Sequence, residues 1–335
     1  MEFIPDIDLA TYSTLRVGGT AKGCYRATNE DEVKRALAEI AKQGATPFVI
    51  GAGSNTYFGD GKHDKLILLQ VAIMGMNKKK SPIEGEVFTV GAGEDWDAFV
   101  AHAASLGLWG VESLAGIPGT VGASPIQNIG AYGTEVADVI EAVEVFDRKQ
   151  NEVRGIPGRL CGFGYRTSIF NSSEKERYII LRVRFWLHKK HRRAFPKEVV
   201  ASKDKELTPS AAGEQIRTLR KSKLPDYREY PNCGSFFKNP LVDDEFAQKL
   251  LRANPDMSQF PSQGKTKLSA AWLIEHTGLK GKDWGNVSVS SQHALVVTTN
   301  GKAKEKELTR AVREIILAVE NKFSVVLVPE PNFVQ

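Results

Sequence analysis

The chain of 335 residues is poor in cysteine, in histidine and in long apolar runs, and each shortage removes a class of function. Its three cysteines, Cys24, Cys161 and Cys233, are scattered and odd in number, so no disulfide framework is expected. None forms a CxxC pair, and the six histidines show no zinc-ligand spacing, so no metal is expected. The longest apolar run, 66–76, is too short to span a bilayer. The opening MEFIPDIDLA carries acids and lacks a basic-then-apolar leader, which gives a cytoplasmic reading. There is no GxSxG elbow for a hydrolase nucleophile. Gly59-Asp60-Gly61-Lys62 is no Walker A loop, because His63 stands where Ser or Thr is needed. The charge excess is small: 45 basic against 40 acidic residues, a net +5. That suits an anionic substrate and is too weak to imply nucleic acid.

Glycine, by contrast, is concentrated. The segment GIPGTVGASPIQNIGAYG at 116–133 holds five glycines and almost no charge. Glycine permits positive φ and close approach of the backbone to a ligand. Such a run offers main-chain N–H groups to anionic oxygens. A shorter segment, Gly51-Ala52-Gly53-Ser54-Asn55, has the same character. The longer one shows no strand–turn–strand pattern, which favours a ligand loop over a plain turn. Two such loops point to an extended, phosphate-bearing cofactor. A Rossmann site is disfavoured: Thr56 replaces the third glycine and no helix pattern follows.

Strand signals fall at 46–50, 65–71, 86–90, 142–146 and 178–187, the last with a period of two. The stripe of Trp96, Phe99, Val100 and Ala103 predicts a helix over 95–106. Further helices are expected at 213–221, 243–253, 269–276 and 303–321, with strands at 294–298 and 324–328. A basic, polar stretch starting at His188 reads as a linker or loop, so the domain division expected is 1–190, a linker 191–212, and 213–335. The tally is α+β or mixed α/β.

Three polar residues stand in suggestive settings. Arg166, in Gly164-Tyr165-Arg166-Thr167, has the fork that clamps a carboxylate or phosphate. Ser235, in Gly234-Ser235-Phe236-Phe237, is a donor among apolar neighbours. Glu330 sits between Pro329 and Pro331, which restrict the backbone and suit a positioned acid. Taken alone, Arg166 reads more readily as a satisfied structural arginine, and Ser235 and Glu330 read equally well as turn residues.

Together the segments IGAGSN, GIPGTVGASPIQNIGAYG, GYRTSIF, KLPD, GSFFKNP, KLSAAWLIEHTGLKG and PEPNFV resemble the UDP-N-acetylenolpyruvoylglucosamine reductase (MurB) family, in its longer-loop type. The resemblance implies an α+β fold with an FAD-binding domain of the vanillyl-alcohol-oxidase (PCMH) type, in two subdomains, and a C-terminal α+β substrate-binding domain. It implies FAD, held non-covalently since neither glycine loop contains a histidine, with NADPH as reductant. Cofactor-binding positions fall on Gly51, Ala52, Gly53, Ser54, Asn55 and Thr56, and on Gly116, Pro118, Gly119, Thr120, Val121, Gly122 and Ala123. Asn128, Gly130, Ala131, Tyr132 and Gly133 complete that set. Arg166, Ser235 and Glu330 fall on the family's catalytic positions. Tyr165, Lys223, Asn239 and His293 fall on substrate-binding ones. The implied partner is UDP-N-acetylglucosamine enolpyruvate, with no nucleic acid or membrane, and a monomeric state. Two departures stand out. No tyrosine occurs between Leu187 and Lys223 to close over the diphosphate, which leaves Phe195 or the basic run in that place. His293 stands where the family type has glutamine.

Overall fold

The structure, a computed structural model, describes residues 1–81, 84–190, 195, 197–199, 206–262 and 264–335. The chain divides into two compact units. The first comprises Met1–Ile7, Ala21–Ala52 and Asp64–Arg220; the second comprises Asp8–Thr20, Gly53–His63 and Lys221–Gln335. The short glycine loop straddles this division, with Gly51 and Ala52 counted in the first unit and Gly53 to Thr56 in the second.

The first unit has two sheets. One runs in the order Glu2–Asp8, Thr20–Ala27, Lys62–Val71, Thr46–Ile50, with the last two parallel. Helix α1 (Glu30–Lys42) accompanies it; Asn29 caps its start by accepting from the amide of Glu32, and three acids complement the helix dipole. Val33, Ala36 and Ile40 form its buried stripe. The other sheet is antiparallel, in the order Glu152–Pro157, Ile140–Asp147, Tyr178–Leu187, Glu86–Gly91, Met76–Lys80. Its edge strand carries Lys78, Lys79 and Lys80, all exposed, which discourages pairing with another chain. Helix α2 (Trp96–Ser105) covers the expected span, with Asp95 as its cap. Trp96, Phe99, Phe88 and Phe185 pack edge-on or tilted, with ring centres 4.8 to 5.9 Å apart, at the heart of this core. Residues 191–194, 196 and 200–205, which include His191, Arg192 and Arg193 of the basic run, lie outside the described residues. Helix α3 (Pro209–Lys223) starts earlier than the expected 213, with a proline in its first turn where the missing N–H costs nothing.

The second unit has a sheet ordered Asn232–Ser235, Val296–Thr299, Val287–Val289 and another ordered Leu241–Val242, Lys265–Leu268, Gln259–Ser262, all antiparallel. Around them lie α4 (Asp244–Ala253), α5 (Ala270–His276) and α6 (Glu305–Phe323). Leu308, Val312, Ile315 and Val319 of α6 are buried as the sequence pattern requires, and Ile316 is half-buried. The short strands Thr56–Phe58 and Asn332–Val334 pair in parallel. The first glycine loop therefore leads from strand to strand, without the helix a Rossmann site needs.

Two expectations are corrected. Residues 324–328 form no ladder strand. Burial alternates, with Val325 and Leu327 inside and Val326 and Val328 outside, but the segment makes a single bridge, Pro329 to Phe237. The two bonds of that bridge, Lys238 N to Val328 O and Glu330 N to Phe236 O, flank Pro329, and among the described residues the pairing does not extend back into 324–327. The end of the 116–133 segment opens a strand–turn–strand whose second strand lies just beyond it: Gly130–Ala131 pairs with Thr134–Glu135. Its turn places Tyr132 and Gly133 at φ +52° and +77°, as a two-residue hairpin requires. Strands of two residues are too short to show a period, and tyrosine is not a turn signal at positive φ.

Candidate active site

In the first unit the glycine segment is laid along the start of α2. The amide of Trp96 donates to Gly119 O, that of Val121 to Glu94 O, and that of Gly122 to Ala92 O. A Cβ on Gly122 would stand 2.6 Å from the Ala92 methyl, so only glycine permits this approach. The two glycine loops meet here: a Cβ on Gly51 would stand 2.5 Å from Thr120 Oγ1. Among the described residues, the amides of Ala52, Gly119 and Thr120 make no hydrogen bond, and all three residues are exposed or half-buried. Such amides are donors available to an anionic oxygen, which fits the pyrophosphate of a dinucleotide. Val121, also expected to bind cofactor, is fully buried and serves the core; Pro118 is exposed and Ala123 half-buried.

Cations missed in the sequence reading gather where the segment begins. Arg217 Nε donates to both carboxylate oxygens of Asp97 at 3.0 and 2.9 Å, and Asp97 Oδ1 also accepts from the amide of Gly116 at 2.7 Å. Arg220 Nε donates to Gly116 O at 3.2 Å. Burial works against the Arg220 charge, with Tyr132 and Asp97 near enough to oppose that effect. The signal was in the sequence: Arg217, Arg220 and Lys223 recur every third residue on one face of α3.

The segment's far end is strapped to the turn carrying Arg166. Ser168 Oγ donates to Ile126 O at 2.6 Å, Asn128 Nδ2 to Gly164 O at 3.0 Å, and Arg166 Nη2 to Gly130 O at 3.1 Å. The Arg166 guanidinium lies 5.5 Å from the Tyr165 ring centre. Asn128 is fully buried, and its amide also donates to Glu135 Oε2 and accepts from the amide of Ala137. Its side chain is thus out of a ligand's reach, contrary to the direct cofactor contact expected.

In the second unit the structure brings Ser235 and Glu330 together. The strand Asn232–Ser235 slips register against Val296–Thr299: three steps on one side answer two on the other. Gly234 takes up the extra residue at φ +75°, and Asn232 Oδ1 accepts from its amide. Such a bulge breaks the alternation of faces just at Ser235. The amide of Glu330 donates to Phe236 O at 2.9 Å, and that of Lys238 to Val328 O. On the other side, Asn55 Nδ2 donates to Glu330 O and Asn55 O accepts from the amide of Asn332. Glu330 is therefore fixed through its own backbone and its neighbours'. Its carboxylate is close enough to act on Cys233, whose thiol is pushed up to about 12, first by burial and then by that negative charge. Cys233 is thus a neutral, unreactive spacer.

Lys223 and His293 also share a neighbourhood. Burial, then Lys280, lowers the His293 pKa; Glu275 opposes this, and Lys223 adds to it. His293 is consequently neutral at pH 7, and since Nδ1 accepts from the amide of Leu295, its Nε2 carries the hydrogen. Lys280, a further residue the sequence reading missed, pairs with Glu275 at 2.8 Å. Asn239 is anchored differently: its Oδ1 accepts from the amide of Ala270 at the start of α5, which makes its NH2 the donor end. Phe195, considered for the missing tyrosine's place, packs in the first unit with its ring 6.1 Å from that of Trp109.

A family model for an FAD-binding domain matches residues 21–154, and one for the C-terminal domain of UDP-N-acetylenolpyruvoylglucosamine reductase matches 226–334. The reductase of Pseudomonas aeruginosa is 37% identical over 338 residues, covering 99% of each chain. That of Xanthomonas axonopodis pv. citri is 38% identical over 337 residues, covering 97% of this chain and 94% of its own. The chain belongs to the UDP-N-acetylenolpyruvoylglucosamine reductase family. The crystal structure of the enzyme from Thermus caldophilus matches with a TM-score of 0.68 at 26% identity, covering 99% of both chains. The α+β architecture is that of this reductase family, and its members are flavin-dependent oxidoreductases of peptidoglycan precursor synthesis. Among the described residues no helix is long and apolar enough to cross a membrane.

Proposed function

We propose that the protein reduces the enolpyruvyl ether of UDP-N-acetylglucosamine to the lactyl ether, UDP-N-acetylmuramate, with NADPH as reductant and FAD held non-covalently. Residues 1–190 are read as the cofactor domain, 213–335 as the substrate domain and 191–212 as their linker. A nucleotide-linked substrate and NADPH both belong to a cytoplasmic, monomeric enzyme in this reading. The observation that carries it is the clamp of Glu330 beside Ser235, through the 2.9 Å bond from Glu330 N to Phe236 O.

Ala52, Gly119 and Thr120 supply unpaired amides for the FAD pyrophosphate, and Arg220 adds positive charge beside Gly116. Bound FAD would supply the redox chemistry, a hydride drawn from NADPH and delivered at C3 of the enolpyruvyl group. The protein's task is the charge that develops next. As C3 becomes a methyl group, an electron pair builds at C2 and spreads into the carboxylate. Arg166 and Glu330, the latter in its protonated form, donate to that enolate-like charge, worth on the order of 3 kcal/mol per preorganised donor. Ser235 passes its hydroxyl proton to C2 and recovers one from solvent. A hydroxyl is a weak acid, but the C2 carbanion is a much stronger base than an alkoxide, so the transfer runs downhill. Lys223, Tyr165, the NH2 of Asn239 and the Nε2–H of His293 are the candidate donors to the diphosphate and sugar.

Single-turnover kinetics separate the roles. Ser235→Ala is expected to bind FAD and to bleach with NADPH at close to the parent rate. Recovery of the flavin band on adding enolpyruvyl substrate is expected to slow by about a thousandfold, the scale of losing an essential proton donor. Equal slowing of both phases would remove Ser235 from the proton path.

A further inference from the structure

Arg166 occupies a left-handed backbone conformation that its turn demands and that an arginine fills at a cost. The turn is closed by two bonds, Gly164 N to Thr167 O at 3.0 Å and Thr167 N to Gly164 O at 3.2 Å. Arg166 sits at the second central position with φ +54°, a place that favours Gly or Asn. An arginine held there needs support from outside the turn.

That support comes from alternate residues of the glycine segment, at 126, 128 and 130. The outer two bonds, Ser168 Oγ to Ile126 O and Arg166 Nη2 to Gly130 O, flank the bond from Asn128 Nδ2 to Gly164 O. Asn128 itself is at φ +50° and fully buried. Both hydrogens of its amide are committed, to Glu135 and Gly164, and its oxygen holds the amide of Ala137. It therefore ties the hairpin of 130–135 and the 164–167 turn to one point. Gly130 completes the arrangement: a Cβ there would stand 3.1 Å from Glu135 Cγ and 3.4 Å from Arg166 Nη1.

We propose that Asn128 is a positioning residue for Arg166: it holds the 164–167 turn against the glycine segment and so fixes the guanidinium where the developing charge will need it. This rests on the reading of Arg166 as a charge stabiliser. The side-chain bonds of Asn128 are all to the protein, so its effect is carried by the turn that bears Arg166.

The test is a double-mutant cycle on the two half-reactions, with the FAD-loaded protein. Asn128→Ala is expected to keep flavin reduction by NADPH within about twofold and to slow reoxidation by the enolpyruvyl substrate about tenfold, a barrier increase of about 1.4 kcal/mol. Arg166→Lys is expected to slow reoxidation more, and the double variant to be no slower than Arg166→Lys alone. Multiplying losses, or equal slowing of both half-reactions by Asn128→Ala, overturns the positioning role and leaves Arg166's role standing. Full activity in Arg166→Lys and Arg166→Ala overturns both. Should Asn128→Ala fail to fold, Ser168→Ala removes one bond of the same strap and takes its place in the cycle, with the same outcomes decisive.

Discussion

A glycine means different things at different positions of this chain, and a single methyl group separates them. At Gly53, φ is +66° and an added Cβ would stand 1.9 Å from Tyr12 O. At Gly133, φ is +77° but nothing lies within 4 Å. Gly133→Ala is therefore expected to cost only the left-handed penalty of about 1 kcal/mol, or about 3 °C in Tm. Gly53→Ala must also move backbone in the second unit, and is expected to lower Tm by about 8 °C or more. Thermal melts of the two purified variants check this; equal shifts would mean that the Tyr12 contact relaxes freely. The residue scale is also where local sequence says least about roles. Arg166, Ser235 and Glu330 stand in unusual local settings, but it is the resemblance as a set that gives them roles. Asn128 was placed among the cofactor positions by the resemblance, which covers the loop as a whole and does not say which side chains turn inward. Which of its polar side chains turn inward is decided by residues 36 positions away, such as Gly164. Lys280 escaped because a lone cation in a loop carries no pattern of its own, whereas Arg220 belonged to a row of cations at every third residue that went unread.

The elements were legible where packing on one face dictates a period. Strand Tyr178–Leu187 and helix α2 fall where expected because alternating or 3.6-residue burial is written into the chain. The strands Thr56–Phe58 and Asn332–Val334 were not, since three residues have no period and their partner lies at the other end of the polypeptide. Long-range electrostatic staples are equally hidden. Asp147 ends a strand of the five-stranded sheet, is fully buried, and accepts from Arg177 Nη2 at 2.7 Å and Nε at 3.0 Å and from the amides of Lys149 and Gln150. The Arg177 guanidinium, aided by those amides, holds its carboxyl at about 2 although burial opposes this. Its folded value lies below the unfolded one, so its stabilisation is complete above about pH 4 and is lost as pH falls towards about 2. Asp147→Asn is expected to lower stability at pH 7 by about 2 kcal/mol, the scale of losing hydrogen bonds to a charged group. It should also flatten the dependence of stability on pH below about 4. Urea titrations at pH 7 and at lower pH measure both; an unchanged midpoint at pH 7 would mean that Arg177 finds another partner.

For the molecule as a whole, the surplus of cations is small, yet its placement favours an anionic ligand in each unit. Net charge is +5. Arg220 stands beside the glycine segment of the first unit, while Lys223, Lys280 and the neutral His293 share a neighbourhood in the second. A substrate carrying a diphosphate and a carboxylate is drawn by this field before any specific contact forms, and the attraction is screened over about 10 Å at 0.1 M salt. In the proposed reaction the chemical step depends instead on short-range groups, Arg166, Ser235 and Glu330, whose contacts with the reacting atoms salt screens little. Capture and chemistry should therefore separate when ionic strength is raised. From about 0.05 to about 0.5 M sodium chloride, KM for the enolpyruvyl substrate is expected to rise several-fold while kcat changes less than about twofold. Lys280→Gln should blunt the rise in KM, because it removes one of the charges that salt would otherwise screen. A salt-independent KM would show that recognition rests on neutral donors such as Asn239 and His293, and a parallel fall in kcat would place the screened charges at the reacting atoms themselves.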